Sequence, residues 1–366
     1  MKIKEVNLIK TELINTIGEI EPAWNQGTYM KFDVGGNTFT EIITDEGISG
    51  YGPAVSESIL NQIKNYLIGK DPLTINQHFN ELNYQVSFTP YQGITGIDIA
   101  LWDIKGKYTG LPLYKLWGGS SNKIIPYASL ISLSGVKQIS DITKVLLEEG
   151  WKAIKLRLHH ETINEDIAIV TEVRKIVGDK MTIMVDANQA QSNYIYQSGI
   201  IWDFSRAKKT AIELEKLDIF WLEEPLARHD YSNLTKLNQE LDLHIAGGEN
   251  NTNVDDFIHF TNINCYDIYQ PESMVLGGVT PLLKIGTIAE LYRKKIVPHH
   301  GGGDLGLIAN AHLVASWDHS PYLEMLHEPP VADFRHKLFS IVGGIDFNQG
   351  YITLSGEPGL GIKIKK

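Results

Sequence analysis

The chain has 366 residues, with 33 basic and 44 acidic side chains for a net charge of −11, and its only cysteine is Cys265. The length allows about two domains and a large core, while a single cysteine excludes an intrachain disulfide framework and a cysteine-based zinc cluster and fits a reducing compartment. The acidic balance without a basic stripe argues against nucleic acid as a partner; the opening MKIKEVNLIKTELIN is not a signal peptide, and no run of about 18 apolar residues offers a membrane span, so a cytoplasmic location without a membrane partner is expected.

Residues 1–122 read as one unit. Short β-like runs at 3–9, 29–34 and 38–44 come first, and Gly35, Gly36 and Asn37 between the last two form a hairpin-type signal. Helical patterns follow at 58–68 and 93–107, which makes this an α+β domain. Leu111, Pro112 and the pair Gly118 and Gly119 then punctuate the chain. From 123 to 330 short apolar runs alternate with amphipathic stretches such as 141–150 and 162–177. The runs lie at 125–128, 153–158, 182–185, 219–222, 244–246, 268–269, 296–298 and 322–325. Strand–helix alternation predicts a parallel sheet, and eight repeats predict a closed (β/α)8-type barrel over an open doubly wound sheet, which usually has fewer strands. The tail, 331–366, has few helical features and is expected to return to the first domain as strands.

Ionisable residues recur at the ends of these runs: Lys155 and Arg157, Asp186 and Asn188, Glu223, Glu249, Glu272, His299 and Glu324. From Lys155 the steps are 31, 37, 26, 23, 27 and 25 residues, each about one βα unit, so they share the C-terminal ring of a barrel, where an active site is expected. Asp186, Glu223 and Glu249 would converge from adjacent strand ends and repel one another unless a cation neutralised them. Oxygen-only ligands favour Mg²⁺ over zinc; taken singly, each acid could instead be a helix cap or a surface acid. Lys155 and Arg157, two apart, share one face of their strand and need anionic partners: a substrate carboxylate and the metal ligands, or a structural salt bridge to the same carboxylates. Glu272 beside His299 would fix the imidazole tautomer and raise its pKa, making a usable general base, although a lone histidine near a glycine-rich loop can be merely hydrogen-bonded, and His300 competes for the role. Residues 301–306 formally fit G-x-G-x-x-G, but the surrounding unit is not a Rossmann start, and the glycines are better read as allowing close backbone packing beside His299.

Taken together, ITGIDIALWDIKGKYTGLPLYKLWGG (94–119), KLR (155–157), VDANQ (185–189), WLEEPL (221–226), AGGEN (246–250), QPE with GGV (270–279) and PHHGGG (298–303) resemble the enolase superfamily, and within it the mandelate racemase/muconate lactonizing enzyme group. The resemblance covers essentially the whole chain. It implies an α/β fold, a (β/α)7β TIM-like barrel under an α+β capping domain that the C-terminal segment completes, and a homo-oligomer. It implies Mg²⁺ on Asp186, Glu223 (the first of the Glu223–Glu224 pair) and Glu249, with Asn188 as the polar neighbour of the first ligand. It makes Lys155 the first lysine of a Lys-x-Lys motif, His299 the base of a His–Asp dyad, and Glu324 the acid that hydrogen-bonds the substrate carboxylate or enediolate.

Two positions depart from the family pattern. Arg157 replaces the second lysine and, as a guanidinium, is a poor base. Glu272 replaces the dyad aspartate. Both weaken two-base racemisation and favour one-base chemistry by His299, with Lys155 as a second acid–base group only if its pKa is lowered. The resemblance then implies dehydration of a sugar acid to a 2-keto-3-deoxy acid through an enediolate. Cycloisomerisation of a sugar lactone, epimerisation, and a catalytically silent metal-binding or regulatory protein are the alternatives. Capping loops at 17–29 and 50–56 are expected over the substrate, with Trp24, Asn25, Tyr29, Tyr51 and Asn188 as candidate substrate contacts.

Overall fold

The computed structural model describes residues 1–87, 93–192 and 196–365. The chain opens with strands β1 (Ile3–Lys10), β2 (Leu13–Ile20), β3 (Met30–Gly35), β4 (Thr38–Thr44) and β5 (Ser49–Pro53), followed by helices α1 (Glu57–Leu67), α2 (Ile75–Gln85), α3 (Thr95–Thr109) and α4 (Leu113–Leu116). Gly35, Gly36 and Asn37 do not close the expected hairpin. β3 pairs with β2, whereas β4 pairs with β1 and β5. The two ladders follow one another along a single bent hairpin: at the bend Gly36 N donates to Glu12 O (2.8 Å) and Thr11 N to Asn37 O (2.9 Å). Gly35 is needed there at φ 76°, because a Cβ would stand 2.3 Å from Glu12 O. The true tip of the hairpin is the segment 21–29, which puts that segment, and not 35–37, at the end of a long projecting ribbon.

β2 and α2 were not expected from the sequence. β2 has Leu13 and Ile14 half-exposed, so its strand form comes from pairing with β3 and not from burying an alternating face. α2 starts without a side-chain cap bond and without an acidic residue in its first turn. The expected covering loop at 50–56 is corrected as well. Residues 50–53 belong to β5, which lies directly on α3: a Cβ on Gly50 would meet Ala100 O at 2.1 Å, and one on Gly52 would meet Gly96 O at 2.1 Å. These two glycines allow a strand to touch a helix at backbone distance.

β6 (Lys123–Ile124) leads into the barrel. Its strands are β7 (Pro126–Ser129), β8 (Ala153–Arg157), β9 (Thr182–Asp186), β10 (Trp221–Glu223), β11 (His244–Gly247), β12 (Ile268–Tyr269), β13 (Lys295–Ile296) and β14 (Leu323–Leu326). All eight expected runs are strands. Every ladder in this sheet is parallel, neighbours follow chain order, and β7 pairs with β14 as well as with β8, so the sheet curls until its last strand meets its first. The intervening helices are α5 (Val136–Glu148), α6 (Ile163–Val177), α7 (Phe204–Glu215), α8 (Tyr231–Glu240), α9 (Val254–Ile263), α10 (Ser273–Leu276) with α11 (Val279–Leu291), and α12 (Leu305–Ser316). The result is a (β/α)7β barrel. α6 starts at a reciprocal cap between Thr162 and Glu165, which satisfies backbone donors at its first turn. Tyr127, Ala153, Met184, Trp221, Ala246, Ile268 and Val297 fill the interior as one apolar cluster, so the barrel is a packed core that leaves chemistry to its C-terminal rim.

The tail forms α13 (Phe334–Lys337) and strands β15 (Ile341–Gly343), β16 (Ile345–Asn348), β17 (Tyr351–Leu354) and β18 (Ile362–Ile364). These strands pair with one another and with β6, and with none of the five capping strands. Contact with the cap runs through hydrogen bonds: Leu113 N to Gly359 O (3.0 Å), Leu360 N to Asp103 Oδ1 (2.8 Å) and Ser340 Oγ to Thr11 Oγ1 (2.9 Å). No helix of the described residues is long and apolar enough to cross a membrane.

Candidate active site

The rim of the barrel gathers an unusual density of buried charge. Asp186 ends β9, Glu223 ends β10, and Glu249 follows β11 by two residues; one carboxylate oxygen of each lies within 4.8 Å of the others, and all three are buried. β9 and β10 pair Asp186 with Glu223 in register, so the parallel ladder itself sets two of the acids side by side. Each oxygen has a defined neighbour or none. Glu223 Oε2 accepts from Gln270 Nε2 (2.7 Å) and Trp221 Nε1 (3.0 Å). Asp186 Oδ1 accepts from Asn188 N (2.8 Å) and its Oδ2 from Asn188 Nδ2 (3.0 Å). Glu249 Oε2 is enclosed and accepts no hydrogen bond. Burial and the nearby Asp186 charge push the Glu223 carboxyl up to about 8, which is the electrostatic signature of anions crowded without enough counter-charge. A hard divalent cation would relieve that crowding, and an all-oxygen donor set with an orphaned buried oxygen fits Mg²⁺.

Two cations close the β8 side. Lys155 and Arg157 both point into the rim, as their spacing predicts. Lys155 Nζ lies 2.8 Å from Glu223 Oε1, 2.8 Å from Glu324 Oε1 and 3.4 Å from Asp186 Oδ2. Burial alone would lower the ammonium, but Glu223, Glu324 and Asp186 outweigh it and hold Lys155 above the ordinary lysine range. The lowering that a second acid–base role would need is therefore absent. Arg157 pairs with Asp186, and its remaining donors reach Leu130 O (2.7 Å), Ser129 Oγ (3.0 Å) and Asn188 Oδ1 (3.2 Å). Four of the five N–H donors of the guanidinium are thereby engaged, one of them on the first acid of the triad.

His299 stands on the opposite side, after β13. Its Nδ1 lies 2.6 Å from Glu272 Oε2, so the shorter carboxylate of an aspartate is not required for this contact. Glu272 is itself fixed, accepting from Met274 N (2.7 Å), Ser273 Oγ (3.1 Å) and Gly301 N (3.0 Å). The other ring nitrogen, Nε2, faces the acids, 3.3 Å from Glu249 Oε2 and 4.0 Å from Glu324 Oε2. Burial works against the imidazolium, but Glu249, Glu324 and Glu272 dominate and raise His299 to about 10. Burial and the neighbouring His299 push His300 down to about 4; its Nδ1 accepts from Gly302 N (3.0 Å), which makes it part of the loop and not a rival base. The glycines at 301–306 serve packing: a Cβ on Gly306 would meet Gly301 O at 1.9 Å.

Glu324 differs from its expected role as an acid. Burial opposes its charge, but Lys155 and His299 outweigh this and hold its carboxyl well below the ordinary range, with Lys155 as its counter-ion at 2.8 Å. Asn188 differs too. Its place is nonetheless the expected one beside the first acid: buried at φ 45° and tied to Asp186, Arg157 and His159 (Nε2 to Asn188 Oδ1, 3.0 Å), it is the polar neighbour of Asp186 and orients it, and what differs is only that these bonds use the side chain proposed to contact substrate. His159, Gln270, Trp221 and Ser129 were not singled out from the sequence. Gln270 alone had a local signal, as the residue following β12 in the QPE run.

Of the capping candidates, Trp24 reaches the rim, its ring centroid 4.5 Å from the Arg157 guanidinium carbon. Ala23 N donates to Ile131 O (2.8 Å), which pins the hairpin tip to the end of β7. Asn25 lies beside Trp24 in a groove along that tip. Tyr29 is 65% exposed and lines no part of that groove, because it already leads into β3. Tyr51 sits on β5 with Lys107 Nζ 4.8 Å from its ring centroid and Glu41 beside its hydroxyl, contacts that lie within the capping domain.

A (β/α)7β barrel with an α+β cap and a buried carboxylate triad facing a histidine defines a class of enzyme that handles anions through a bound metal. Residues 139–366 match the model of the enolase C-terminal domain-like family, and residues 36–118 that of the mandelate racemase/muconate lactonizing enzyme N-terminal domain. The chain is 31% identical over 344 residues to an arabinonate dehydratase from Saccharolobus solfataricus, covering 89% of this chain and 87% of that one. Among solved structures it is similar to a 3,6-anhydro-D-galactonate cycloisomerase from Zobellia galactanivorans (TM-score 0.81, 27% identity, 100% and 97% coverage). It is similar also to an L-talarate dehydratase from Polaromonas sp. JS666 complexed with Mg and L-glucarate (TM-score 0.80, 26% identity, 99% and 95% coverage). The chain belongs to the enolase superfamily, in its mandelate racemase/muconate lactonizing enzyme group.

Proposed function

We propose that this protein is a Mg²⁺-dependent hydro-lyase that dehydrates a sugar acid to a 2-keto-3-deoxy acid. The observation that carries the reading is the asymmetry of the rim: one histidine aimed at the acids from the β13 side, faced on the β8 side by two buried cations that are paired with those acids. The names of the relatives support the substrate class. Asp186, Glu223 and Glu249 hold the metal, which supplies Lewis-acid stabilisation of the charge that develops on the substrate carboxylate. Lys155 adds a fixed positive charge on the same side, and Arg157 keeps Asp186 in place. His299 Nε2 takes the proton from C2 in its neutral form, which a cation held by Glu249 would favour by offsetting the carboxylate charge that raises the ring, while Glu272 holds the Nδ1 proton and fixes the tautomer. The hydroxyl on C3 then departs as water with a proton returned by His299, and the enol left behind ketonises by protonation at C3. Burial of the acids and the Trp24 cover keep bulk water from the reacting centre.

The test is a Mg²⁺-dependent screen of sugar acids in D₂O that follows keto-acid formation and C2 proton exchange together, with His299→Asn alongside. Keto acid that disappears in the variant supports the reading. Exchange without keto acid points instead to cycloisomerisation or epimerisation through the same intermediate. Neither signal across a broad set overturns the reading and favours a metal-binding protein without catalysis.

A further inference from the structure

A cavity of about 140 Å³ opens beside the base and has taken no part in the chemistry so far. Three separate parts of the chain build it: β3 of the capping ribbon, the loop after β13, and α13 of the tail. His300 is its wall next to the reaction centre, with its ring centroid 4.4 Å from that of His299. Leu326, another wall, follows Glu324 by two residues and so leaves β14 on the same face as that acid. The base and the acid of the rim are thus each one side chain away from this space.

The polar groups without partners here are donors. His300 Nδ1 accepts from Gly302 N (3.0 Å), so the neutral ring carries its proton on Nε2, and that N–H keeps open surface and no partner among the described residues. Lys337 is half-buried, with its stem over Gly303, where a Cβ would meet Lys337 Cγ at 3.8 Å. Among the described residues its ammonium makes no hydrogen bond and no ion pair. The other charges in the wall are already paired, Lys31 with Asp33 at 3.3 Å and Asp333 with Arg335 at 2.6 Å. Met30, Phe32, Leu326 and Phe334 make much of the remaining wall apolar. One cation is left without a counter-ion against apolar side chains, where little water screens it, and an anion there gains more than it would at an open surface. A carboxylate has two oxygens that only accept, which suits an ammonium and an imidazole N–H; a hydroxymethyl group brings no charge to answer Lys337.

We propose that this cavity receives a second carboxylate at the far end of the substrate, held by Lys337 and His300, and so selects a diacid over the monoacid of equal length. The inference rests on the sugar-acid reading above and narrows it. The relatives do not decide the point, since one is named an arabinonate dehydratase and another structure holds L-glucarate. His300 and Lys337 are then specificity residues, with no part in proton transfer.

The experiment compares diacid and monoacid pairs of matched chain length and configuration. Binding is measured on the Mg²⁺-loaded His299→Asn protein, and kcat/KM on the enzyme with His299 intact. The expected result is a preference of about tenfold or more for the diacid in binding, carried into kcat/KM. Lys337→Met should cut diacid affinity about tenfold more than monoacid affinity, Lys337→Arg should keep the preference, and His300→Phe should narrow it. Equal or tighter binding of the monoacids, or a diacid preference that survives Lys337→Met, overturns the proposal. Inorganic phosphate that raises Tm in the unaltered protein but not in Lys337→Met, without any diacid preference, overturns it as well and makes the cavity a site for free anions. A diacid preference in binding without keto acid from any substrate upholds the cavity and overturns only the reaction assigned to the rim; keto acid from monoacids alone does the opposite.

Discussion

The two sides of the barrel rim do different work. On the β8 side Lys155 is fully buried between three carboxylates, and Arg157 has its donors committed to four partners. On the β13 side His299 is 21% exposed, with Nδ1 tied to Glu272 and Nε2 turned towards Glu249 and Glu324. A lysine or arginine held by buried carboxylates is a fixed charge, whereas an imidazole can move a proton through the nitrogen that Glu272 does not hold. Under the reaction proposed above, an arginine at position 157 keeps a positive charge on this side and offers no base there. This difference between the sides explains how a site of this architecture can be committed to chemistry from one face.

The strongest way to break the contrast is to remove the movable side. His299→Asn is expected to lower kcat by about 10²–10⁴-fold, the range for a lost general base, with little change in Mg²⁺ affinity measured by titration calorimetry. Next comes the ion that the triad would hold. Chelation should abolish turnover, and Mg²⁺ at about 100 times its Kd should add about 2.7 kcal/mol of stability, read as a rise in Tm that Glu249→Gln largely removes. A smaller but sharper change is Arg157→Lys. It strands several of the partners of the guanidinium, so about 1–3 kcal/mol of stability should be lost in chemical denaturation. If a lysine there becomes a base, C2 exchange in D₂O will include the opposite stereoisomer; if the side remains fixed, it will not.

Glu272→Gln tunes the movable side without deleting it. Glu249, Glu324 and Glu272 together raise His299 to about 10, and neutralising one of these anions lowers that value. The basic form of His299 is then present at lower pH, so the acid limb of the kcat/KM profile should move down in pH, with about a tenfold fall in kcat from looser orientation of the ring. The smallest effect lies far from the rim. His312 accepts from Tyr114 N (3.2 Å) and lies 3.4 Å from Leu360 O, linking α4, α12 and the tail, and burial pushes it down to about 4. Its unfolded value is about 6.5, so the unfolded chain binds the extra proton first. Stability contributed by neutral His312 is present above about 6.5 and is lost as pH falls towards 4. His312→Gln should flatten that part of the Tm–pH curve.

Much of this was legible in the sequence, and the boundary of legibility is physical. Eight apolar runs at one βα spacing specify eight parallel strands, since a strand buried on both faces must be continuously apolar. Because each strand ends at the same rim, the acids and bases that follow them were placed in one ring before any contact was known, and Lys155 and Arg157 were placed on one face by the period of the strand. What stayed hidden depended on partners remote in sequence. β2 is a strand only because β3 lies beside it. Gly35, Gly36 and Asn37 look like a hairpin turn locally, yet the bend belongs to a ribbon whose tip is six or more residues away. Tyr29 adjoins the covering segment in sequence but is exposed where it leads into β3, and Tyr51 belongs to β5, between Lys107 and Glu41 of the capping domain. The protonation states were hidden too. Glu324 is an acid by position, but the proximity of Lys155 turns it into a counter-ion, and the same proximity keeps Lys155 charged. The sequence by itself determined the barrel, the identity of the ring residues and the replacement of a lysine by Arg157, because these follow from local periodicity and side-chain chemistry. Only the tertiary structure decided which of those charges are spent on one another and which remain free to act, because electrostatic pairing depends on distances of a few ångströms that spacing along a chain does not carry.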